Sequence, residues 1–595
     1  MIQRKDSGVG VLETDSPPVG ERPRSPNRRK FLGQVGAAAT AAGALASPSV
    51  SSAQIVGSSS NSPGGAAPPA GVTNGRVMAA MQLRVAEAID DAKVRAATNV
   101  NNGDEARYAD KGGTYTKGLP HDNFGRVDLT AYQSLKTALS SGKFSDFQNI
   151  IMGGTRTLNG PQGGICFCLN ALDNTQFGQP QVPPAPATAS DQTATELLEH
   201  YWASLLRDVA FTDYHPTNQP PNPIAAAAAT ELGSQPNTSY LGPRDGSGRV
   251  TPDLLFRGSF PGETLGPYIS QLFLQPTFFG SQPIGQQQVT YLPHDPIHHP
   301  NDFGTSFAEW LKIQNGIDTG LSNQVDPRLR YRRNGRDLAA FTHVDVLYQA
   351  YFTAFLVLAG INAPLNPGNP YIGSRTENGF CTFGGPDIAA TLTAVAGVAL
   401  NAVWYQKWFV HLRPRPEAVG GLVYLINTGQ GNYTDVKLSS VILNSQGLQQ
   451  SFHKYGTWLL SQAFPEGSPT HPSYPTGHGT VGGACITVLK FFFDGNFVIP
   501  NPVTPTSDGL SLVPYTGSDA GQLTVNGELN KLGHNVSFGH GIHAGIHWRS
   551  DTDTSLLLGE AVALSFLKDR AQTYNEPFTV TLTKFDGTTA TISNQ

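Results

Sequence analysis

The chain has 595 residues, with 40 Lys and Arg against 45 Asp and Glu and a formal net charge of −5. Only 14% of residues are charged and no block of one sign stands out, which excludes a polybasic nucleic-acid face and a polyacidic tail. The length permits a sizeable core, in two or three ordinary domains or one large helical domain, and 65 Gly with 44 Pro predict much irregular connecting chain.

The first element is Asn27-Arg28-Arg29-Lys30-Phe31-Leu32, followed by a small-residue run from Gly36 to Ala46 that ends in Ala44-Leu45-Ala46. This resembles a twin-arginine signal peptide over 1–46, so export to a periplasmic or extracellular compartment is expected. Its apolar stretch is shorter than the roughly 20 residues a spanning helix needs, and no stable membrane anchor is expected. Residues 47–75 are Ser, Pro, Gly and Ala with almost no charge, a composition that buries no core and reads as a disordered linker. One helical domain is expected over 76–595.

Within it, helical spacing runs from Val77 to Ala97 and again from a capping box at Thr193-Ala-Thr-Glu196. Further helical patterns cover His343 to Ile361, Asp387 to His411, Phe452 to Ala463, Gly479 to Phe493 and Gly527 to Lys568. Long Pro-, Asn- and Gly-rich loops separate them, at 160–190, 216–265 and 279–304, and 494–523 and 578–593 read as small β-hairpins. The fold class is therefore all-α with long loops and minor β-hairpins. Cys166, Cys168, Cys381 and Cys485 suit either disulfides or free core thiols, and their spacing does not fit a zinc site. His294, His298 and His299 lie in a Pro-rigid loop that needs no metal.

Three segments carry the chemistry, at 404–416, 471–483 and 539–553. In Lys407-Trp-Phe-Val-His-Leu-Arg-Pro-Arg415-Pro-Glu a helix ends at two prolines, which places Lys407 in the last turn and Arg415 on the extended exit. Two cations, one with a bidentate fork, thus converge from one stretch. In His471-Pro-Ser-Tyr-Pro-Thr476-Gly477-His478 a turn precedes an apolar helix, whose free N–H groups and dipole seat an anion. Thr476 adds a hydroxyl and His478 a ring N–H. A formal Gly477-x-Gly479-x-x-Gly482 match lacks the strand a dinucleotide site requires. The third segment offers His540, His543 and His547. Asp551 lies one turn beyond His547, placed to hold one ring nitrogen protonated and present the other as ligand or nucleophile. This inventory suits a tetrahedral oxyanion rather than a bare cation.

The three segments resemble those of the vanadium-dependent haloperoxidases, in their algal-type bromoperoxidase branch, which is related to acid phosphatases with the same anion site. Asn102-Gly-Asp-Glu105, Thr116-Lys-Gly-Leu-Pro-His-Asp122 and Asp302-Phe-Gly-Thr-Ser-Phe307 extend the resemblance upstream. It implies two four-helix bundles with vanadate as cofactor in one of them and His547 as the ligand to vanadium. Lys407, Arg415, Thr476 and the N–H of Gly477 would bind the equatorial oxygens, and His478 the apical one. The implied partners are hydrogen peroxide, bromide or iodide and a small organic acceptor, with no nucleic acid, and family members are commonly homo-oligomers. His471 would shuttle the peroxide proton and, by its position, favour bromide over chloride. Lys407 would withdraw charge from the oxygen that halide attacks. Trp404, one turn before Lys407, is placed either to wall the halide pocket or to serve as a plain core residue.

Two departures stand out. Thr476 replaces the usual Ser and keeps the hydroxyl. The Arg that the family carries six residues before the ligand His falls on Gly541, so His540 or His543 is expected to replace it as an imidazolium. The competing expectations are a phosphatase, with His547 as a phosphorylated nucleophile, and a non-catalytic exported oxyanion-binding protein.

Overall fold

The structure, a computed structural model, describes residues 75–595 apart from 180 and 218, so the expected leader and nearly all of the expected linker lie outside the described residues. The described chain is helical, with α1 Arg76–Lys93, α2 Leu129–Ser141, α3 Asp191–Leu206, α4 Pro223–Gly233, α5 Phe307–Gln314, α6 Gly335–Val344 and α7 Gln349–Gly360. The second half adds α8 Gly385–Tyr405, α9 Pro416–Asn427, α10 Gln446–Tyr455, α11 Gly477–Phe492, α12 Val525–Phe538 and α13 Arg549–Ala571. Strand content is three antiparallel two-stranded hairpins, Thr277–Phe279 with Gln282–Ile284, Val503–Pro505 with Leu512–Pro514, and Thr579–Thr583 with Thr589–Ser593.

The main bundle packs α8, α11, α12 and α13, with α11 buried along its whole length. Glycine sets how closely α11 and α13 approach. A Cβ on Gly483 would lie 2.1 Å from the carbonyl oxygen of Leu556, and one on Gly559 2.0 Å from that of Thr480, so the two backbones touch where side chains would hold them apart. Ile388, Leu392, Val395, Ala399 and Val403 supply the face that α8 turns to the bundle. A second group forms around α3, which packs α4, α9, α10 and the short turn 440–443 against it. It is one central helix ringed by shorter ones. Its Glu196 and Glu199 reach into the main bundle, where they meet Arg413 and Arg549.

Several boundaries differ from expectation for local reasons. Ser190, not Thr193, caps α3, its side chain accepting from the N–H of Thr193. The run from His343 is two helices, because the chain breaks between Val344 and Gln349. The run from Phe452 is offset, since Gly456 in the left-handed region ends α10. The long run from Gly527 is α12 and α13, separated by a π-helical turn at Gly539–His543 and a non-helical stretch to Trp548. A second π-helical turn, Gln406–His411, follows α8. Both interruptions fall in the expected site segments, where such turns re-aim side chains. The four cysteines are free, and among the described residues no His, Cys, Asp and Glu group is arranged to hold a metal ion.

Beside α12, buried His534 is clamped between Glu263, bonded to Nδ1, and Asp553, 2.9 Å from Nε2. Burial alone would favour the neutral ring, but the two carboxylates outweigh it and raise its pKa from 6.5 to about 9. The clamp therefore stabilises the fold fully below pH ~6.5 and loses that contribution as pH rises through about 9. Denaturant unfolding at pH 7 and pH 10 should show a loss on the order of 2 kcal/mol in the native protein, and His534→Gln should flatten that dependence. Equal slopes for the two proteins would exclude the buried imidazolium.

Candidate oxyanion site

All three segments meet at one buried point. His547 lies just before α13, fully buried, and its Nδ1–H donates to Asp551 at 2.9 Å. The contact has a different cause from the one expected: His547 is not helical, and Asp551 reaches back from the first turn of α13, also accepting from the N–H of Trp548 at 3.2 Å. With Nδ1 committed as donor, Nε2 is the acceptor, and Nη1 of Arg415 donates to it at 2.7 Å. Arg415 also donates to the carbonyl of Ile546 at 2.9 Å, to that of His471 at 3.0 Å and to the His471 ring at 3.0 Å. One guanidinium thus spans segments two and three.

Lys407 enters from the π-helical turn after α8 and donates to the carbonyls of Pro472 and Ser473, at 2.9 and 2.7 Å. Thr476 is the N-cap of α11 and Gly477 its first residue, so this segment runs directly into the N–H groups of that terminus. The Thr476 hydroxyl is fully buried and has no partner among the described residues. His478 donates from Nε2 to Asp345 at 2.8 Å. Trp404 lies 4.8 Å from the His471 ring, and a side chain on Gly477 would meet it at 3.2 Å, so the indole packs against both.

The two candidate substitutes for the absent arginine part company. The ring of His540 lies 3.9 Å from that of His478 and 5.6 Å from that of His547, and its Nδ1 is buried without a partner. His543 is not in the site, contrary to expectation. The π-helical turn directs it into an aromatic nest of Phe211, Phe256 and Tyr268, where Nε2 meets the Tyr268 hydroxyl at 3.0 Å. Gly541 fills the family register with backbone, for a Cβ there would meet His547 at 3.3 Å. The extra residue of the turn is what lets the preceding side chain, His540, take the inward direction.

Charge and burial act together. Burial first, then Arg415, pushes the Lys407 ammonium well below its usual range, and burial lowers Arg415 to about 10. Burial and the two cations likewise favour neutral His471 and His547, and burial with His478 and His547 favours neutral His540. The expected imidazolium at His540 is thus disfavoured by the protein itself. Every one of these costs is reversed by a multiply charged anion at the same point.

Four participants were not anticipated. Arg413 donates to Asp551 at 2.7 Å and to Glu196 at 3.3 Å and lies 4.8 Å over Trp548, so it holds Asp551 in place and is not the missing cation. Ser473 also donates to Asp551. Asp345 comes from the break between α6 and α7, which no local signal marks. Glu417 accepts from Lys117 at 2.6 Å and from the N–H and hydroxyl of Ser468, both at 2.7 Å, and so fixes the turn that leads into His471. Arg413 and Ser473 stood within the motif segments and could have been found there.

The residues present fit a vanadate-sized oxyanion. The Thr476 hydroxyl can donate and has no acceptor among the described residues, and His540 Nδ1, also unpartnered there, can donate in one of the ring's two tautomers, beside the N-terminus of α11 and two desolvated cations.

Known proteins place the chain. No protein-family model matches it. It is 35% identical over 510 residues to the vanadium-dependent bromoperoxidase of Ascophyllum nodosum, covering 82% of this chain and 87% of that one. The vanadium-dependent bromoperoxidase of Corallina officinalis is 32% identical over 551 residues, covering 80% and 90%. Among solved structures, the homohexameric second vanadate-dependent bromoperoxidase of Ascophyllum nodosum superposes with a TM-score of 0.80 at 27% identity, over 93% of this chain and 95% of that one. With this similarity along most of its length and an oxyanion pocket built from the three shared segments, the chain belongs to the vanadium-dependent bromoperoxidase family.

Proposed function

We propose that the protein is a vanadate-dependent bromoperoxidase that oxidises bromide or iodide with hydrogen peroxide to a hypohalous acid equivalent, which halogenates small organic acceptors. The observation that carries this reading is the pairing of a tautomer-fixed His547 with two buried cations and a helix N-terminus around one point. Bound there, vanadate supplies a V(V) Lewis acid that activates peroxide without changing oxidation state. Nε2 of His547 would be the ligand atom, and Arg415, which donates to it in this structure, would keep its fork beside the anion. Lys407 and Arg415 would balance its negative charge, and the Gly477 N–H, Thr476 hydroxyl, His478 and His540 would donate to its oxygens. His471, kept neutral beside Arg415, accepts the peroxide proton and returns it as the product leaves. A cleft of about 400 Å³, lined by Arg156, His343, Glu466, Thr470 and His540, is the route for peroxide, halide and product.

Export by the twin-arginine route, from Arg28-Arg29, is proposed from the sequence alone. A homo-oligomer is proposed from the homohexamer formed by the structural relative.

Purified protein incubated with orthovanadate should brominate a β-diketone with peroxide and bromide and should leave phosphoesters intact. Hydrolysis alone would move the chain to the phosphatases, and neither activity would leave an oxyanion-binding protein. His547→Ala should abolish both orthovanadate binding by calorimetry and bromination. His540→Ala should weaken vanadate affinity roughly 10- to 100-fold, the cost of losing a hydrogen bond to a charged group, and His540→Arg should restore it. His543→Leu should lower the melting temperature and leave affinity within about twofold. A His543 variant that loses affinity while His540→Ala keeps it would reverse these roles.

A further inference from the structure

The cleft that leads to His540 carries opposite charges on its walls. Among the described residues that line it, Arg156 is the one Lys or Arg and Glu466 the one Asp or Glu. Lys407 and Arg415 do not line this cleft and are fully buried, so an anion arriving through it meets Arg156 first. Arg156 is half-buried. The bond it donates to the described residues runs from its backbone N–H to the carbonyl of Gly316, at 3.0 Å, and its guanidinium has neither an acceptor nor a carboxylate partner there.

The backbone that carries this side chain is fixed on both sides. A Cβ on Gly153 would lie 2.7 Å from the carbonyl oxygen of Leu119, and one on Gly154 2.3 Å from that of Gly316, so the segment presses directly on neighbouring backbone. Beyond Arg156, the carbonyl of Thr157 accepts from the Thr470 hydroxyl at 2.5 Å, and the N–H of Asn159 donates to the carbonyl of Thr470 at 2.9 Å. The carbonyl of Asn159 accepts from Nε1 of Trp404 at 3.0 Å, the indole that packs against the ring of His471. One anchored segment therefore joins an uncommitted guanidinium to the edge of the inner pocket.

Glu466 is committed where Arg156 is not. It accepts from Nε2 of His343 at 2.8 Å, while Nδ1 of that ring lies 2.6 Å from the Tyr291 hydroxyl and the ring stacks on Phe464 with centroids 3.9 Å apart. Burial alone would raise the carboxyl's pKa, but the bond from His343 outweighs it and Arg156 adds to the effect, so the group is held below its usual range and is ionised at neutral pH. A halide entering the cleft is repelled by this carboxylate, and the guanidinium of Arg156 is the group that offsets the repulsion. Hydrogen peroxide is neutral and feels neither. We propose that Arg156 is a halide-binding residue of the cleft wall, which captures bromide or iodide from solvent against the repulsion of Glu466 and passes it to the pocket beside Trp404. This rests on the bromoperoxidase reading above and adds the residue that admits the anionic substrate.

Steady-state bromination by the vanadate-loaded protein at low ionic strength is the test, with bromide and peroxide varied in turn and the other substrate saturating. Arg156→Gln should lower kcat/KM for bromide at least fivefold, while kcat/KM for peroxide and calorimetric vanadate affinity stay within about twofold of native. Arg156→Lys should recover at least half of the native bromide value. Added salt should depress the native bromide value more than that of Arg156→Gln, because the attraction it screens is missing from the variant. Glu466→Gln, which keeps an acceptor for His343, should raise the bromide value at least twofold, and an unchanged value overturns the opposing role of the carboxylate. A variant that merely loosens the fold lowers the values for both substrates together, so equal losses, or no loss, in Arg156→Gln overturn the halide role. A native protein that binds vanadate and does not brominate overturns the bromoperoxidase reading itself, and this role with it.

Discussion

Asp551 is the carboxylate on which the site depends. It accepts from the ring of His547, from Arg413, from the hydroxyl of Ser473 and from the N–H of Trp548, so residues of all three segments converge on its two oxygens. Its acceptor oxygen facing Nδ1 decides which nitrogen of His547 carries the proton. The ligand atom follows from that choice. Arg413 in turn shares its other nitrogen with Glu196 of α3, so the helix at the centre of the second group sets the tautomer of a histidine in the first.

The pocket holds its cations at a cost. Lys407 and Arg415 are buried without a carboxylate of their own, satisfied by backbone carbonyls of the very segments they must align. Such groups gain from an oxyanion both charge compensation and strong hydrogen bonds, which is how a site selects anions over cations without any metal-binding carboxylate cage. The arrangement is held from outside by a second buried pair, Lys117 with Glu417, which fastens the turn at Ser468. This explains why the Thr116-Lys-Gly-Leu-Pro motif, remote in sequence, accompanies the site segments.

The replacement of the family arginine shows how backbone can change a binding set. The π-helical turn at Gly539–His543 adds a residue between α12 and His547, so the position in register with the arginine becomes a glycine pressed against His547. The inward direction passes to His540, a shorter side chain whose neutral form is favoured first by burial and then by the surrounding imidazoles and cations. On the proposed reading, a permanent charge would thereby be exchanged for a neutral ring, with Lys407 and Arg415 left to balance the anion.

The sequence by itself determined the all-α class, the positions of most helices, and the chemistry of the pocket, because prolines, a glycine turn and clustered cations act locally and leave a legible order. It also determined that His547 and Asp551 interact, since four residues bring them within reach in either a helix or a helix terminus. Only the tertiary structure decided between His540 and His543, because a one-residue bulge turns one ring inward and the other into an aromatic nest without altering the composition of the segment. It likewise supplied Asp345 and Glu196, whose roles depend on distant helices meeting.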